Sequence, residues 1–397
     1  MTKKIKNKEK DKEIEKTKIK QNKDQKNESK TSEKLKDIVK SEINKLKDLF
    51  NKIQHKKKIV DLLFIANPVA GDFSGKEKLE YLKKVAKNLN LSYYVVETKP
   101  KKDYIPKQIY PKIIVIIGGD GTLHLTINEI MRKNIDSFIV PIPSGTGNDF
   151  PSSQGMSKFK LRKYLETYHE KIKNNLLNEL PFKFSDVGKI EYWNEKKDKY
   201  DTVYFINIAG INSFDAEVVK NLYEMLKDKT HYKEDYILPV IKTIFTFKLK
   251  KYNVEYWKWM KKKRFKSETN GFLVYNNYKF AAGSLNLPEA KIDDGLLNII
   301  FYRRIPKWNI PKHIYLGIKH YILPNIDFIS ENFRNYFKNP KNKHGDVVRD
   351  TFKELIVKPV FIFQCDGELY DVQSPEMKIS VVPKAIKILK YEKKENE

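Results

Sequence analysis

The stretch IIVIIGGDGTLHLTINEIMRKNIDSFIVPIPSGTGNDF, residues 113–150, decides the fold of this chain. It opens with an unbroken apolar run rich in β-branched residues, which is typical of a central strand buried on both faces. A helical pattern formed by Leu123, Ile127 and Ile130 follows, and a second buried strand begins at Phe138. Two buried strands joined by a helix predict parallel neighbours and therefore an α/β domain with a parallel sheet.

Each of these two strands ends in a glycine-rich loop that contains one carboxylate. The first loop is Gly118-Gly119-Asp120-Gly121-Thr122, and the second runs through residues 143–149. Ligands of open α/β sheets bind at the carboxyl edge of the strands, where glycines let backbone N–H groups close on an anion. Because a carboxylate repels phosphate unless a metal ion lies between them, the loops predict a site for a nucleotide phosphate and Mg²⁺. The alternative is that these glycines only make tight turns.

Composition narrows the class of protein. The chain has 397 residues, of which 40% are hydrophobic, so it is long enough for about two or three domains with real cores. The net charge of +27 implies an anionic partner: nucleic acid, a membrane surface or a phosphorylated substrate. A single cysteine, Cys365, excludes an internal disulfide framework and fits a reducing cytoplasm. We expect neither a membrane-spanning helix nor, from residues 1–30, a secretory signal.

Residues 1–58 are predicted to form a basic extension outside the folded body. Their first half is too polar to bury a core and is predicted to be disordered. From Ser32 onward, apolar residues follow helical spacing and predict an amphipathic helix with a basic polar face. Such a helix could lie on a membrane surface, pack loosely on the body or form a short coiled coil.

The body is predicted to divide near residue 185. It starts at Ile59, and short loops between alternating strands and helices up to residue 184 predict right-handed crossovers in a parallel sheet. From residue 185 to about 375, alternating strands with few helices predict a second, β-rich domain that is mainly antiparallel.

The two glycine loops resemble the catalytic domain of the diacylglycerol kinase and sphingosine kinase superfamily, including its bacterial lipid kinases. That family carries a GGDGT loop followed by PxGTxND, and residues 67–71 (NPVAG) resemble its NPxSG element. Later segments resemble its N…G…DA, N…GG…P.A…DG and DGE elements: Asn207–Ala216, Asn276–Gly295 and Asp366-Gly367-Glu368. Residues 376–391 resemble the family's tail that returns to the first domain, here residues 59–184.

The resemblance implies an ATP- and Mg²⁺-dependent lipid kinase, which phosphorylates diacylglycerol to phosphatidate at the membrane. The β-rich domain would then hold the lipid substrate, and the protein would be cytoplasmic and peripheral on the inner face of the membrane. A kinase of a sphingoid base or another alcohol is the second interpretation. A catalytically inactive basic protein that binds membranes or nucleic acid is the third. The oligomeric state, including a homodimer, stays open. The implied nucleotide-binding residues are Asn67, Pro68, Gly71, Gly118, Gly119, Asp120, Gly121, Thr122, Gly145, Thr146 and Asn148.

Carboxylates supply the predicted chemistry, because phosphoryl transfer needs charge neutralisation and a base for the attacking hydroxyl. Asp120 is expected to orient Mg²⁺ through water. The resemblance assigns the general base to Glu368, with Asp149 and Asp366 beside it, and Asp149 is predicted as a further catalytic residue. Asp294 resembles the family's structural metal position, although paired Asp before Gly also makes a plain turn. Asp366-Gly367 taken alone would predict a hairpin turn.

The chain departs from the family pattern at several positions near the two loops. Leu125 and Asn128-Glu129 stand where the family usually has Glu and Asn-Gly, and Pro151 replaces the common Ala-Arg. These departures bear on the identity of the substrate and on nucleotide affinity rather than on the catalytic residues.

Residues 252–266 (YNVEYWKWMKKKRFK) combine aromatic with basic side chains. That combination suits the interface of an anionic membrane, and it also suits nucleic-acid stacking or a solvated hairpin. Together with a lipid kinase body it favours the membrane, so we expect no nucleic-acid partner. The predicted membrane residues are Trp257, Trp259, Lys261, Lys262, Lys263 and Arg264.

Overall fold

The computed structural model describes most of the chain from residue 58 onward. The described residues are 40–42, 58–71, 74–98, 104–145, 147–156, 161–226, 234–248, 250–258, 261–269, 271–277, 279–280, 285–286, 290–302 and 347–390. The predicted N-terminal helix lies outside these residues, apart from residues 40–42, which are helical. The described residues within 59–106 and 111–390 belong to one compact unit, which contains the site described below. The domain boundary near residue 185 stays a prediction.

Helices follow most strands in the first half of the described chain, and strands dominate the second half. The order is β1 (Lys58–Ala66), α1 (Ser74–Asn88), β2 (Tyr93–Glu97), β3 (Ile109–Gly118), α2 (Asp120–Lys133), β4 (Phe138–Pro143), α3 (Asp149–Ser153), α4 (Leu161–Lys173), β5 (Phe182–Asn194), β6 (Lys199–Phe205), β7 (Ile208–Ile211), α5 (Phe214–Leu226), α6 (Ile237–Thr246), β8 (Lys250–Lys258), β9 (Lys261–Thr269), β10 (Phe272–Tyr275), β11 (Lys279–Phe280), β12 (Leu285–Asn286), β13 (Leu297–Tyr302), β14 (Val347–Phe352), β15 (Glu354–Lys358), β16 (Phe363–Cys365), β17 (Glu368–Tyr370) and β18 (Met377–Leu389).

The first sheet begins with the predicted parallel strands. Its order is β2-β1-β3-β4-β18-β15-β8-β9, with β5 and β6 attached through β18. Strands β1 and β2, β3 and β4, and β4 and β18 pair in parallel. The apolar run at residues 113–117 is fully buried because α/β crossovers cover both faces of a parallel sheet. The predicted α/β architecture is confirmed.

Strand β18 joins the parallel part of this sheet to the antiparallel part. Near its end, Lys387 and Ile388 pair in parallel with β4, and its first residues pair in antiparallel with β15. Along most of its length it also pairs with β5, with a register shift between Val382 and Ile386. Lys384 lies in that shift with a positive φ of 50°, which is typical of a bulge that bends a strand.

A second, antiparallel sheet has the order β14-β13-β10-β7-β16-β17. On β10, Phe272 and Val274 pack into a core shared with strands of the first sheet, while Leu273 and Tyr275 pack on the opposite face. This alternation is what the two-residue period of a strand requires, and it confirms the predicted β-rich part. Among the described residues, no helix is both long enough and apolar enough to cross a membrane.

Candidate active site

Three loops meet at the carboxyl edge of the neighbouring strands β1, β3 and β4. A Cβ atom added at Gly145 would lie 2.4 Å from the Cα atom of Gly119, so the two glycine-rich loops touch through their backbones. Gly71 has a φ of 56°, and a Cβ atom there would lie 2.4 Å from the carbonyl oxygen of Ser144. Side chains are therefore excluded where the loops meet, and the predicted convergence of the loops is what the structure shows.

The first of these loops, residues 67–71, is held by local hydrogen bonds. The amide oxygen Oδ1 of Asn67 accepts the N–H of Val69 at 3.2 Å, which closes a turn around Pro68. The N–H of Asn67 donates to the carbonyl of Ile117 on β3 at 2.8 Å. Asn67 and Pro68 thus shape the loop beside the glycines, and their predicted contact with a nucleotide stays a prediction.

Lys78 on α1 ties this loop region to the end of β4, although the sequence analysis did not single it out. Its Nζ donates to the carbonyl of Pro143 at 2.6 Å and to the hydroxyl of Ser144 at 3.1 Å. Burial lowers the pKa of Lys78. The sequence contained one signal for this role: Lys78 lies on the helix directly after the NPVAG loop. That helix starts at the same edge of the sheet as the glycine loops.

Asp120 is the first residue of α2, and its carboxylate reaches across to the second loop. The N–H of Asp149 donates to Oδ1 of Asp120 at 3.0 Å, and a Cβ atom added at Gly147 would lie 2.2 Å from Oδ2. The pKa of Asp120 is raised well above its ordinary value, first by burial and then by the charges of Asp149 and Asp366. Three acidic side chains therefore share a small region, which is an electrostatic environment that favours a bound cation.

Residues on either side of Asp120 and Asp149 shape the two glycine loops. A Cβ atom on Gly118 would lie 2.5 Å from the buried Thr122 hydroxyl, so this glycine lets α2 start directly after β3. Asn148 has a φ of 53°, and its Oδ1 accepts the N–H of Gly145 at 3.0 Å. Thr146, a predicted nucleotide-binding residue, lies outside the described residues. Among the residues that the structure describes, no group of three or more His, Cys, Asp and Glu side chains is arranged to hold a metal ion.

The DGE element forms the turn between β16 and β17, where Cys365 pairs with Glu368. Asp366 and Gly367 have φ values of 51° and 90°, as a two-residue hairpin turn requires. The turn places the Glu368 carboxylate against the first glycine loop, since a Cβ atom on Gly121 would lie 2.7 Å from its Oε1. The hairpin interpretation and the functional interpretation of this element are therefore compatible.

Asp366 supports the backbone of this region. Its Oδ1 accepts the N–H groups of Asn207 and Ile208 at 2.9 and 3.0 Å, and its Oδ2 accepts the N–H of Ile206 at 3.0 Å. The Nδ1 atom of His124 lies 3.0 Å from the same Oδ2. With four donors on a buried carboxylate, Asp366 fixes the N…G…DA segment and α2 relative to the hairpin.

His124 links this support to β17 and was missed by the sequence analysis. Because Asp366 can only accept, Nδ1 carries the ring proton, and the Tyr370 hydroxyl, 3.0 Å from Nε2, donates to the ring. Burial is the main cause that raises the pKa of Tyr370, so its hydroxyl keeps its proton. The available signal was a histidine in the first turn of the helix after GGDGT.

Departures from the family pattern in α2 serve packing. The amide of Asn128 exchanges two hydrogen bonds with the backbone of Tyr204, at 2.9 and 2.7 Å, and so joins α2 to β6. The carboxylate of Glu129 accepts the N–H groups of Tyr104 and Ile105 at 2.7 and 3.0 Å. Leu125 is exposed. Asn128 and Glu129 therefore hold neighbouring segments of the chain.

Asp294 lies in a turn, and the carboxylate of Asp186 holds that turn by accepting a backbone hydrogen bond from it. The Oδ1 atom of Asp294 accepts the N–H of Leu296 at 3.0 Å, while Asp186 accepts the N–H groups of Gly295 and Lys384, both at 2.7 Å. Burial, followed by the charges of Asp186 and Asp293, raises the pKa of Asp294. These contacts fit the plain turn, and the structural metal role stays a prediction.

The predicted membrane residues lie on and beyond the hairpin of β8 and β9. Trp257 is half-buried on β8, where it pairs with Glu354 of β15. The Nζ atom of Lys263 contacts the Asp350 carboxylate at 2.5 Å, so this lysine already has an acidic partner. Lys261, Lys262 and Arg264 belong to β9, and Trp259 lies outside the described residues.

Comparison with known proteins agrees with the resemblance. Residues 61–176, which include all three loops, match the family model of the diacylglycerol kinase catalytic domain. A Staphylococcus carnosus protein named "Putative lipid kinase" is 25% identical over 193 residues, which cover 48% of this chain and 54% of that protein. "Putative lipid kinase YtlR" of Bacillus subtilis is 27% identical over 170 residues, covering 41% and 50%. The chain spans about half the length of these curated relatives.

The fold also has solved counterparts. A crystal structure of a diacylglycerol kinase from Bacillus anthracis superimposes with a TM-score of 0.53 at 17% identity, covering 85% of this chain and 98% of that one. At this identity the likeness shows the fold. The predicted resemblance to the diacylglycerol kinase superfamily is confirmed. It supports an enzyme of the lipid kinase type.

Proposed function

We propose that this protein is a lipid kinase that transfers the γ-phosphoryl group of ATP to the hydroxyl of diacylglycerol, with Mg²⁺, at a membrane surface. The observation that carries the proposal is the position of Glu368 against Gly121 in the first glycine loop. A carboxylate that can take a proton and a loop that can hold phosphate therefore meet at one point. That is the minimum arrangement for phosphoryl transfer to an alcohol.

In the proposed reaction, each part of the site has a separate role. Backbone N–H groups of the glycine loops and of the α2 N-terminus hold the phosphates of ATP. Asp120 would hold Mg²⁺ through water, and the bound ion supplies positive charge that screens the phosphates from the carboxylates. Glu368 takes the proton of the acceptor hydroxyl while that oxygen bonds to the γ-phosphorus. The bond from phosphorus to the bridging oxygen breaks, and ADP leaves with its electron pair.

Exposed apolar side chains on α5 and α6 support a lipid acceptor over a water-soluble alcohol. Leu238 and Phe245 on α6 are 67% and 84% exposed, and Met225 on α5 is 43% exposed. A buried hydrogen bond of 2.7 Å from Asn221 to Thr243 holds α5 and α6 together. Large exposed apolar side chains on a basic protein fit a bilayer surface with anionic headgroups.

The acceptor is tested with radiolabelled ATP and Mg²⁺ on mixed micelles that contain diacylglycerol, a sphingoid base or neither, and with glycerol as a soluble alcohol. We expect label in phosphatidate. Label only in the sphingoid base or in glycerol would move the assignment to the second interpretation. No label with any acceptor, from protein that still binds ATP, would favour the inactive binding protein.

Docking on the membrane gives a further expected result. The Leu238→Ser and Phe245→Ser double variant should need more vesicle lipid for half-maximal rate while its maximal rate stays close to wild type, because the loss is in apolar contact. Replacing Trp257 and Trp259 by Ala should act in the same direction. The measurement is the concentration of vesicle lipid that gives half the maximal rate for each variant. Exposed Tyr200→Ser is the matched control.

Charge should contribute separately from apolar contact. Each basic residue near an anionic surface contributes about 1 kcal/mol, and salt screens it within a Debye length. Deleting residues 1–56 should therefore weaken binding to anionic vesicles at low salt and have little effect at high salt. Equal binding of the full chain to neutral and anionic vesicles would contradict electrostatic docking. Preferential retention on nucleic acid would support the third interpretation.

A further inference from the structure

The two carboxylate oxygens of Glu368 have different surroundings. Oε1 lies against Gly121 in the first glycine loop, where a Cβ atom would approach it to 2.7 Å. Oε2 accepts a hydrogen bond from the hydroxyl of Tyr223 on α5, at 3.1 Å. The side chain is thus held at one oxygen, and the other faces the loop that would hold the phosphates.

We propose that Tyr223 is a positioning residue, which orients the carboxylate of Glu368 so that Oε1 removes the proton of the acceptor hydroxyl. The proposal rests on the proposed function, since it gives Glu368 the role of general base. Tyr223 does not touch the reacting atoms in this scheme, and its effect passes through Glu368.

The helix that carries Tyr223 is fixed to the hairpin that carries Glu368. Near the start of α5, the Asp215 carboxylate accepts a hydrogen bond of 2.7 Å from Nε2 of Gln364 on β16. The Oε1 atom of Gln364 accepts the N–H of Gly367 at 2.9 Å, in the turn directly before Glu368. Both partners of the contact between Tyr223 and Glu368 therefore belong to one connected frame, about two helical turns from Asp215.

The phenol of Tyr223 can act only as a donor to this carboxylate. Although the side chain is 36% exposed, its partial burial first, and then the charge of Glu368, raise the pKa of Tyr223, so the hydroxyl keeps its proton over the working range of the protein. A protonated phenol stabilises the ionised carboxylate through a charge-assisted hydrogen bond. Tyr223 therefore keeps the carboxylate of Glu368 oriented.

Several other titratable groups surround Glu368. Tyr104, before β3, has a pKa that is raised by burial first and by the charge of Glu368 next. Tyr370, on β17, has a pKa raised mainly by burial, with Glu368 among the smaller causes. Asp120 belongs to the loop that Glu368 contacts. Tyr223 is the member of this group whose hydroxyl hydrogen bond to the carboxylate is seen in the structure.

The test is Tyr223→Phe, which removes one oxygen and keeps the ring. We expect turnover to fall about tenfold, the scale of one hydrogen bond to a charged group, with the KM for ATP unchanged. The loss should lie in the turnover number, with the KM for the lipid also unchanged, because Tyr223 acts through Glu368 and does not contact the acceptor. Exposed Tyr200→Phe is the control and should change neither quantity.

A double variant separates positioning from a general structural effect. In the Glu368→Gln background, Tyr223→Phe should cause little further loss, because the group that it orients is gone. An additive loss in the double variant, or a single variant with an unchanged turnover number, would overturn the proposal. A higher KM for the lipid with an unchanged turnover number would also overturn it and would place Tyr223 in acceptor binding. If Glu368→Gln itself stayed active, the proposed function of Glu368 would fail, which is a separate result.

Discussion

Replacing Glu368 by Gln is expected to lower the turnover number at least about a hundredfold, which is the scale of losing general-base catalysis. The amide keeps the shape of the side chain, but it cannot take the proton of the acceptor hydroxyl. Since the amide would occupy the same space against Gly121, ATP binding should be nearly unchanged. Steady-state rates with diacylglycerol micelles and ATP binding measured by calorimetry check both parts.

Two neighbouring variants show whether such a loss is catalytic. Glu376→Gln changes a partly exposed carboxylate, paired with Lys358, a few residues after the hairpin, and should leave the rate close to wild type. Asp366→Asn should lose activity by a different route, because an amide nitrogen would face the donors Ile206 N–H and His124 Nδ1–H. We expect it to lower the thermal unfolding midpoint, whereas Glu368→Gln should not. Loss of ATP binding in Glu368→Gln would make Glu368 structural and move the base to another carboxylate.

Much of the first sheet could be predicted from the sequence because its signals are local. The apolar run at residues 113–117 marks a strand without reference to any other part of the chain. The glycine loop that follows it indicates a turn, a phosphate site and the start of a helix, all within a few adjacent residues. Short connections then leave little freedom in how these elements pair, so the parallel order of β1, β3 and β4 follows.

The contacts that complete the site could not be predicted in this way. His124 and Asp366 are 242 positions apart in the chain, and Tyr223 and Glu368 are 145 apart. Neither pair has a sequence pattern, because each depends on how a helix from one segment meets the β16–β17 hairpin. The resemblance assigned the general base to Glu368 of the DGE element, but it did not show the supporting contacts of Asp366. In the structure, Asp366 is occupied by backbone donors, whereas Glu368 faces the loop.

The departures in α2 are a second case in which contacts between distant segments decide the role of a residue. Asn128 and Glu129 differ from the family pattern, and this difference was expected to bear on the identity of the substrate and on nucleotide affinity. The structure shows both side chains bonded to the backbone of other segments, at Tyr204 and at Tyr104. A residue near a motif in the sequence can lie on the opposite side of a helix, where packing decides its identity.

Replacing Asp120 by Asn is expected to reduce activity by roughly a hundredfold or more while leaving the protein at least as stable as wild type. The amide can still accept the N–H of Asp149, so the contact between the two loops survives. The lost negative charge removes the group that would hold Mg²⁺ through water. Turnover, and the rise in unfolding temperature on adding ATP with Mg²⁺, measure the two effects, with exposed Asp136→Asn as the control.

The stability half of this prediction follows from the raised pKa of Asp120. Because the folded-state pKa lies above the ordinary value of 3.8, ionising Asp120 costs free energy in the folded state. That cost is absent below about the ordinary value and grows as pH rises toward the raised pKa, so the variant should unfold at a higher temperature than wild type at neutral pH. The difference should shrink as pH falls toward the ordinary value. Activity within a few-fold of wild type would refute the role in metal binding, and a lower unfolding temperature at neutral pH would refute the electrostatic cost. A gain in stability together with a loss of activity would mean that Asp120 lowers the stability of the fold and is needed for the cation that it would hold.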